Sequence, residues 1–427
     1  MNLKIIMKNW SKLLIVATTI TTSGLAQTLG PLDLVLEINP VVKAADLAYQ
    51  SALEKVKVIG VLPDPMLETS FSINSIETRN GPIENQIMLG QRFPFWGELK
   101  RERNIEKIRA DISRLNLDKT KVKISFLLRK GIANYYKFSE SLEILEQYKI
   151  ELESFENIAQ SQYANGIGLT QHPLIKLQIE TALVESKINK IESSLEKNVN
   201  DLQILFDGQF STSLIGDSLQ LNSISKSDQF WLNLANKYNP SFAISQANIA
   251  IASDKHKLAK LKKYPDLTAG LTYSFIGPTD LGGAPSPGAD ALGVKVGINL
   301  PLWFKKNKAR IESASFNLQK QEELLSNTWN NVEYDILSTL KELNEIKDTY
   351  IIYDERLIQE TEQMLSSAYS AYETGKISFL DLLDSVRMVV KVKLDFASVK
   401  AKQNILIAKL FQNVGIIYLD QENYNEN

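Results

Sequence analysis

The chain has 427 residues, 44% hydrophobic and 23% charged, and its 48 Lys plus Arg against 50 Asp plus Glu leave a formal charge of −2 spread along the whole length. No net basic field exists to hold a nucleic acid, so none is expected as a partner. Cysteine is absent and His172 and His256 are the only histidines, which excludes disulfides, thiol nucleophiles and multi-His metal cages.

No dinucleotide fingerprint, phosphate loop, zinc-protease helix or nucleophile elbow occurs either. The expectation is no enzyme, no cofactor and no resident metal. His172, before Pro173 at a helix start, and His256, among Lys255, Lys257 and Lys260, read as solvated side chains.

Lys4, Lys8 and Lys12 precede an uncharged segment, Leu13 to Ile20, and a small-residue approach through Ser23, Gly24 and Ala26. This is the pattern of a secretory signal cleaved near Ala26, and the apolar stretch is too short to span a bilayer. Cleavage removes three lysines and no acids, so the mature charge becomes −2 − 3 = −5.

At roughly 150 residues per domain the length suggests about three domains, but an internal repeat overrides that division. Asn39-Pro40 recurs as Asn239-Pro240, each opening an Ala-rich helical segment, and Pro63-Asp64 recurs as Pro265-Asp266. GQRFPFW at Gly90–Trp96 recurs as GINLPLW at Gly297–Trp303, Tyr163 and Gly166 as Tyr372 and Gly375, and Leu205-Phe206 as Leu410-Phe411. After a signal at 1–26, the reading is a first structural repeat at 27–215, with a β-hairpin at about 66–93 and a helical hairpin at about 98–208. A second follows at 216–427, with a β-hairpin at about 266–300 and a helical hairpin at about 305–415.

In the first half, Met66–Ser75 and Asn85–Phe93 flank the turn signal Asn80-Gly81-Pro82. In the second, Leu267, Ala269, Leu271, Tyr273 and Phe275 alternate with small or polar residues, as do Val294, Val296, Ile298 and Leu300. Period two with one apolar face means strands half exposed to something apolar. Lengths of about 9–11 residues suit tilted membrane strands, and a soluble hairpin packed on helices has the same periodicity.

From Glu98 to about Gln162, and from about Lys305 to Tyr372, there is no proline, and glycine occurs only at Gly131. Helices of roughly 90–100 Å follow at 1.5 Å per residue. The second carries a heptad seam, Ile311, Leu318, Leu325, Val332, Thr339, Ile346 and Tyr353, with Trp329, Ile336, Leu343, Tyr350, Leu357 and Met364 four residues on. Breaks at Tyr163–Gly168 and Tyr372–Ser378 turn each helix into a hairpin. Gly166 and Gly375 fit left-handed caps, and Ser378 with Asp381 fits a capping box.

Together these features resemble the TolC-like outer membrane efflux protein family over essentially the whole mature chain. The resemblance rests on the duplicated Asn-Pro entry, LPDP at Leu62–Pro65 with YPDL at Tyr264–Leu267, QRFPFWGELK at Gln91–Lys100 with NLPLWFKKNK at Asn299–Lys308, and YETGKISFLDLLDSVR at Tyr372–Arg387. It is closest in flavour to the outer membrane components of heavy-metal RND efflux systems. It implies a mainly α fold with a small membrane β-barrel part, in which a homotrimer builds a twelve-stranded barrel continued by an α-helical coiled-coil barrel through the periplasm. Bare strand edges in one chain argue for the oligomer on physical grounds as well. The implied function is the outer membrane channel of a tripartite efflux system in a Gram-negative bacterium, in contact with outer membrane lipid, a periplasmic adaptor and an inner membrane pump of RND type. A periplasmic coiled-coil adaptor or scaffold and a type I secretion channel are the alternatives.

The family's periplasmic aperture pattern, Tyr-x-x-Gly-x-x-x-x-x-Asp-x-x-Asp, is filled by Tyr372, Gly375, Asp381 and Asp384. The two aspartates lie three apart on one helix face, where helix capping is the competing explanation. Trp96 and Trp303, following strand-ending prolines, suit a membrane-interface belt or packing under the barrel.

Overall fold

The computed structural model describes residues 30–164, 171–215, 226–279, 282 and 285–417. The signal at 1–26 and the cap at Gly166 lie outside them. In chain order come α1 (Pro31–Ile38), α2 (Pro40–Val58), β1 (Met66–Thr78), β2 (Gly81–Phe93), α3 (Glu98–Ala164), α4 (Gln171–Leu205), α5 (Asp228–Tyr238) and α6 (Pro240–Leu261). There follow β3 (Leu267–Ile276), β4 (Ala291–Ile298), α7 (Phe304–Ile352), a π-helical turn (Tyr353–Leu357), α8 (Ile358–Glu373) and α9 (Phe379–Val414). No separate element was expected at the short helices α1 and α5, which open at Pro31 with Asp33 in the first turn and at a Ser227 cap with Asp228 after it. The chain divides into two compact units, each drawing segments from both halves of the sequence.

The unit formed by the described residues of Val41–Lys123, Ile224–Leu343 and Lys409–Asn427 contains one antiparallel sheet in the order β1-β2-β3-β4. β1 and β2 are longer than the sequence suggests, because Thr78 Oγ1 donates to Gly81 O at 2.7 Å and shrinks the turn to Arg79-Asn80. Gly81 has φ 133°, and a Cβ there would lie 1.9 Å from Gly277 O, so only glycine fits. β4 stops at Ile298, short of the expected Leu300, because the backbone leaves the ladder ahead of Pro301.

Register sorts the side chains into two faces. One carries the rows Leu67–Leu89–Leu271–Val294, Thr69–Ile87–Tyr273–Leu292 and Phe93–Leu267–Ile298. The other carries Glu68–Met88–Thr272–Gly293 and Ser70–Gln86–Ser274–Ala291. The apolar face is uncovered: Leu292, Val294, Val296 and Ile298 are 58–77% exposed. Burying one such side chain is worth about 1.5–3 kcal/mol. A whole face left in water forgoes on the order of tens of kcal/mol, more than the net stability of a domain.

Where strands give way to helices, Asp266 organises a corner. Its carboxylate accepts from Arg92 Nη2 at 2.5 Å, Arg92 Nε at 3.1 Å and the Phe95 N–H at 3.0 Å, while its own N–H donates to Asn299 Oδ1 at 2.5 Å. Phe95 stacks on Tyr264 with ring centroids 4.5 Å apart. The strings QRFPFW and YPDL therefore form one strand-to-helix joint. Asn239, at the start of α6, caps Ser241 and Phe242 and donates to Asn413 O at 2.7 Å, near the end of α9.

The second unit, the described residues of Met1–Pro40, Ile124–Ser223 and Asn344–Ala408, holds the same device: Asn39 Nδ2 donates to Leu205 O at 2.9 Å. Its core is a cluster in which Leu145, Tyr148, Leu152, Phe155 and Ala159 of α3 meet Leu177 and Val184 of α4, Ala368 of α8, and Phe379, Leu382, Leu383 and Val386 of α9. Gly131 lets α3 approach α4 closely: a Cβ there would lie 2.6 Å from Leu202 Cδ2, and Gly131 O accepts from Asn198 Nδ2 at 2.9 Å.

The heptad seam holds through α7, where Val332, Ile336, Thr339 and Ile346 are buried. Past the π-helical turn it changes phase. A π turn inserts one residue into the α-helical count, and the inward positions become Thr361, Leu365, Ala368 and Tyr372, each one later than the heptad places them. Met364, assigned to the seam by its spacing, is consequently exposed.

Candidate functional site

The residues of the aperture pattern meet at the break between α8 and α9. Gly375, at φ 70°, ends α8: its N–H donates to Tyr372 O at 2.9 Å and that of Lys376 to Ala371 O at 2.8 Å, the paired bonds of a Schellman cap. Tyr372 lies edge-on to Phe379 at 6.0 Å, and Phe379 in turn to Phe155 at 5.5 Å. This aromatic triplet sets where α9 begins. With Phe379, Leu382, Leu383 and Val386 turned into the core, the helical period leaves Asp381 and Asp384 on the solvent side.

Both aspartates have local partners. The Asp381 N–H donates to Ser378 Oγ at 3.3 Å, while Asp381 Oδ2 accepts from the Ser378 N–H at 3.0 Å and its hydroxyl at 2.7 Å. That is a complete capping box, and these bonds hold the Asp381 carboxyl below the usual carboxylate range. Asp384 Oδ1 accepts from Arg387 Nη1 at 3.0 Å. Arg387 also donates through Nη2 to Glu180 of α4, whose other oxygen accepts from Tyr148 OH of α3 at 3.0 Å.

This chain of contacts, Tyr148–Glu180–Arg387–Asp384, links three helices to the acidic pair. Glu180 holds the Arg387 guanidinium above its ordinary range, and burial beside Glu180 pushes the Tyr148 phenol up. Sequence reasoning did not single out Tyr148 or Glu180. The available signal was an acid three residues after Leu177 and four before Val184, in the buried stripe of α4.

Trp96 and Trp303 belong to the sheet-bearing unit instead. They are 91% and 75% exposed, so neither packs in the protomer's core. Among the described residues no group of three or more His, Asp or Glu could hold a metal ion, and no helix is long and apolar enough to cross a membrane. At the α8–α9 break the two exposed carboxylates lie three residues apart, Asp381 held by Ser378 and Asp384 by Arg387.

Residues 231–415 match the model of the outer membrane efflux protein family. The second half of the chain is thus similar to outer membrane efflux proteins. No curated protein matches the chain by sequence, but solved structures share its fold across both halves. CusC, solved in a study of its folding and transmembrane channel formation, superposes with a TM-score of 0.75 at 17% identity, covering 92% of this chain and 92% of its own. The outer membrane protein VceC of Vibrio cholerae gives 0.74 at 17% identity, covering 92% and 96%. The CmeC outer membrane channel of Campylobacter jejuni gives 0.73 at 15% identity, covering 90% and 84%.

The mainly helical fold with a small sheet is thus that of TolC-like channels, which are not enzymes. These channels sit in the outer membrane of Gram-negative bacteria and work with periplasmic adaptors and inner membrane pumps in tripartite systems.

Proposed function

We propose that this chain is an outer membrane efflux channel that works as a homotrimer, three four-stranded sheets closing a twelve-stranded barrel in outer membrane lipid, and passes cargo delivered by a periplasmic adaptor and an RND-type inner membrane pump. The observation that carries this reading is the uncovered apolar sheet face with two unpaired edges. In water such a sheet is unstable and pairs with other chains. In lipid the apolar face is solvated, and closure supplies every backbone hydrogen bond. A periplasmic adaptor or scaffold would bury this face within its own chain, and the exposure of β4 weighs against that reading.

The test uses purified protein in mild detergent. Light scattering should give three copies per particle, and the particles should conduct in planar bilayers. A conducting species of another stoichiometry contradicts the trimer. Complete extraction by carbonate wash contradicts the membrane barrel. The RND assignment rests on the resemblance of LPDP and FPFWG to heavy-metal partners, and co-purification of the inner membrane pump tests it.

In this reading Asp381 and Asp384 from three copies ring the periplasmic entrance and bind cations, with Arg387 offsetting part of their repulsion. Replacing both by Asn should weaken cation block several-fold and leave trimer assembly intact. Unchanged block together with a loosened α9 start would make the pair a helix cap alone.

A further inference from the structure

The strand-to-helix corner is present twice in the sequence and only once closed in the fold. In the closed copy, Asp266 pins the Phe95 N–H and Arg92, and Tyr264 covers Phe95. The matching pieces of the other copy are Asp64 for Asp266, Leu62 for Tyr264, Asn299 for Arg92 and Leu302 for Phe95. Asp64 is exposed and, among the described residues, has neither hydrogen bond nor ion pair. Leu62 and Leu302 are exposed as well. The Leu302 N–H turns back on Leu300 O at 2.9 Å and that of Phe304 on Leu302 O at 3.0 Å, two three-residue turns where the closed corner has its anchor. Asp64 leads into β1 and Leu302 follows β4, the two edge strands of the sheet. Within one chain Asp64 and the Leu302 N–H lack the contact the closed corner makes, and the Asn299 amide has, among the described residues, only Asp266 beside it, at 3.4 Å.

We propose that a second copy of this chain closes the corner: Asp64 of the neighbouring copy docks on the Leu302 N–H and the Asn299 amide, and its β1 pairs with β4 so that Leu67 of the neighbouring copy lies opposite Ile298. This rests on the homotrimer reading and deepens it by fixing which residues meet. The register comes from the internal ladder. Gln91 pairs with Ala269, Leu89 with Leu271 and Ile87 with Tyr273. The recurrence of GQRFPFW as GINLPLW and of Pro63-Asp64 as Pro265-Asp266 converts these pairs into Ile298 with Leu67, Val296 with Thr69 and Val294 with Phe71 of the neighbouring copy.

An independent check supports the transfer. Leu67, Thr69 and Phe71 lie on the same sheet face as Val294, Val296 and Ile298 within the protomer, so the apolar face runs on unbroken from copy to copy. A slip of one residue would interleave Glu68 and Ser70 with that face. A slip of two preserves the faces, so the face pattern alone cannot reject it, and the Asp64 corner is what excludes it. Asn299 stands where the closed corner has Arg92, so the interchain corner depends on hydrogen bonds without a guanidinium.

The natural absence of cysteine makes the test clean. In detergent-solubilised protein, oxidised Leu67→Cys with Ile298→Cys should run as covalent oligomers at least tenfold more than the slipped pairs, Leu67→Cys with Val296→Cys or with Leu300→Cys. Adding Asp64→Ala to the matched pair should reduce cross-linking several-fold, and Asp64→Asn, which keeps an acceptor oxygen, should restore it. A slipped pair that cross-links as well as the matched one overturns the register, and an Asp64→Ala variant that cross-links normally overturns the corner. Particle mass measured on reduced protein separates these from the underlying reading: a trimer with the wrong cross-link refutes only this inference, whereas a monomer refutes the trimer itself.

Discussion

Asp381 both closes the capping box of α9 and belongs to the acidic pair assigned to the aperture, and pH separates the two duties. Because Ser378 depresses its folded-state pKa, its contribution to stability is complete above the ordinary carboxylate value of 3.8 and is lost as pH falls through the depressed one. Hydrogen exchange in the first turn of α9, corrected for intrinsic chemistry, should stay flat down to about pH 4 and rise only below it, and Asp381→Asn should abolish the rise. A profile climbing through pH 5 would contradict the assignment. Glu180 is the more fragile point of the tip, being 7% exposed with two donors aimed at it. Glu180→Ala should cost about 1–3 kcal/mol and Tyr148→Phe about 1 kcal/mol, read as faster proteolysis at the α8–α9 break. The capping residues were legible in the sequence because caps are local chemistry. Glu180 was not, because its donors come from α3 and α9.

The π-helical turn shows an element correcting the pattern that identifies it. Nothing in Tyr-Asp-Glu-Arg-Leu at 353–357 marks an irregularity, since it holds neither Gly nor Pro, so the heptad extrapolates straight through and misplaces Met364. The turn nevertheless decides that Tyr372 faces the core and that Ala368 rather than Ser367 packs there. Deleting Glu355 should restore plain α-helix and turn Thr361, Leu365, Ala368 and Tyr372 away from the core by about 100° each. The deletion should lower the temperature at which the tip resists protease, whereas Glu355→Ala should leave it unchanged. If both behave alike, the phase shift carries no weight. Strands fared better, since period two survives any register, but their pairing depends on contacts far apart in sequence. The sequence strings that suggest family and cargo turn out to be joints: YPDL and QRFPFW hold the sheet to its helices through Asp266.

At the scale of the whole molecule, the duplicated order of motifs made the fold legible before any contact was known, because each half repeats the same local signals. What sequence could not supply is the seam between halves, the β2–β3 ladder. Gln86 and Ser274 on that ladder share a 3.0 Å hydrogen bond across 188 residues of chain. This separation has a consequence in time. An exported polypeptide emerges N-terminus first, so the β1–β2 hairpin waits without a neighbour until nearly half the chain more has crossed. During that interval its apolar side chains are in water and both outer edges are open, the state most prone to wrong pairing. The sheet therefore forms only after the helical hairpin of the first half has emerged. A chain stopped at residue 215 should give a protease-resistant α3–α4 hairpin attached to a degraded or aggregated strand pair, and adding residues 216–427 in trans should rescue it poorly. Whatever receives this protein on the far side of the inner membrane has to shelter one β-hairpin for the length of that wait.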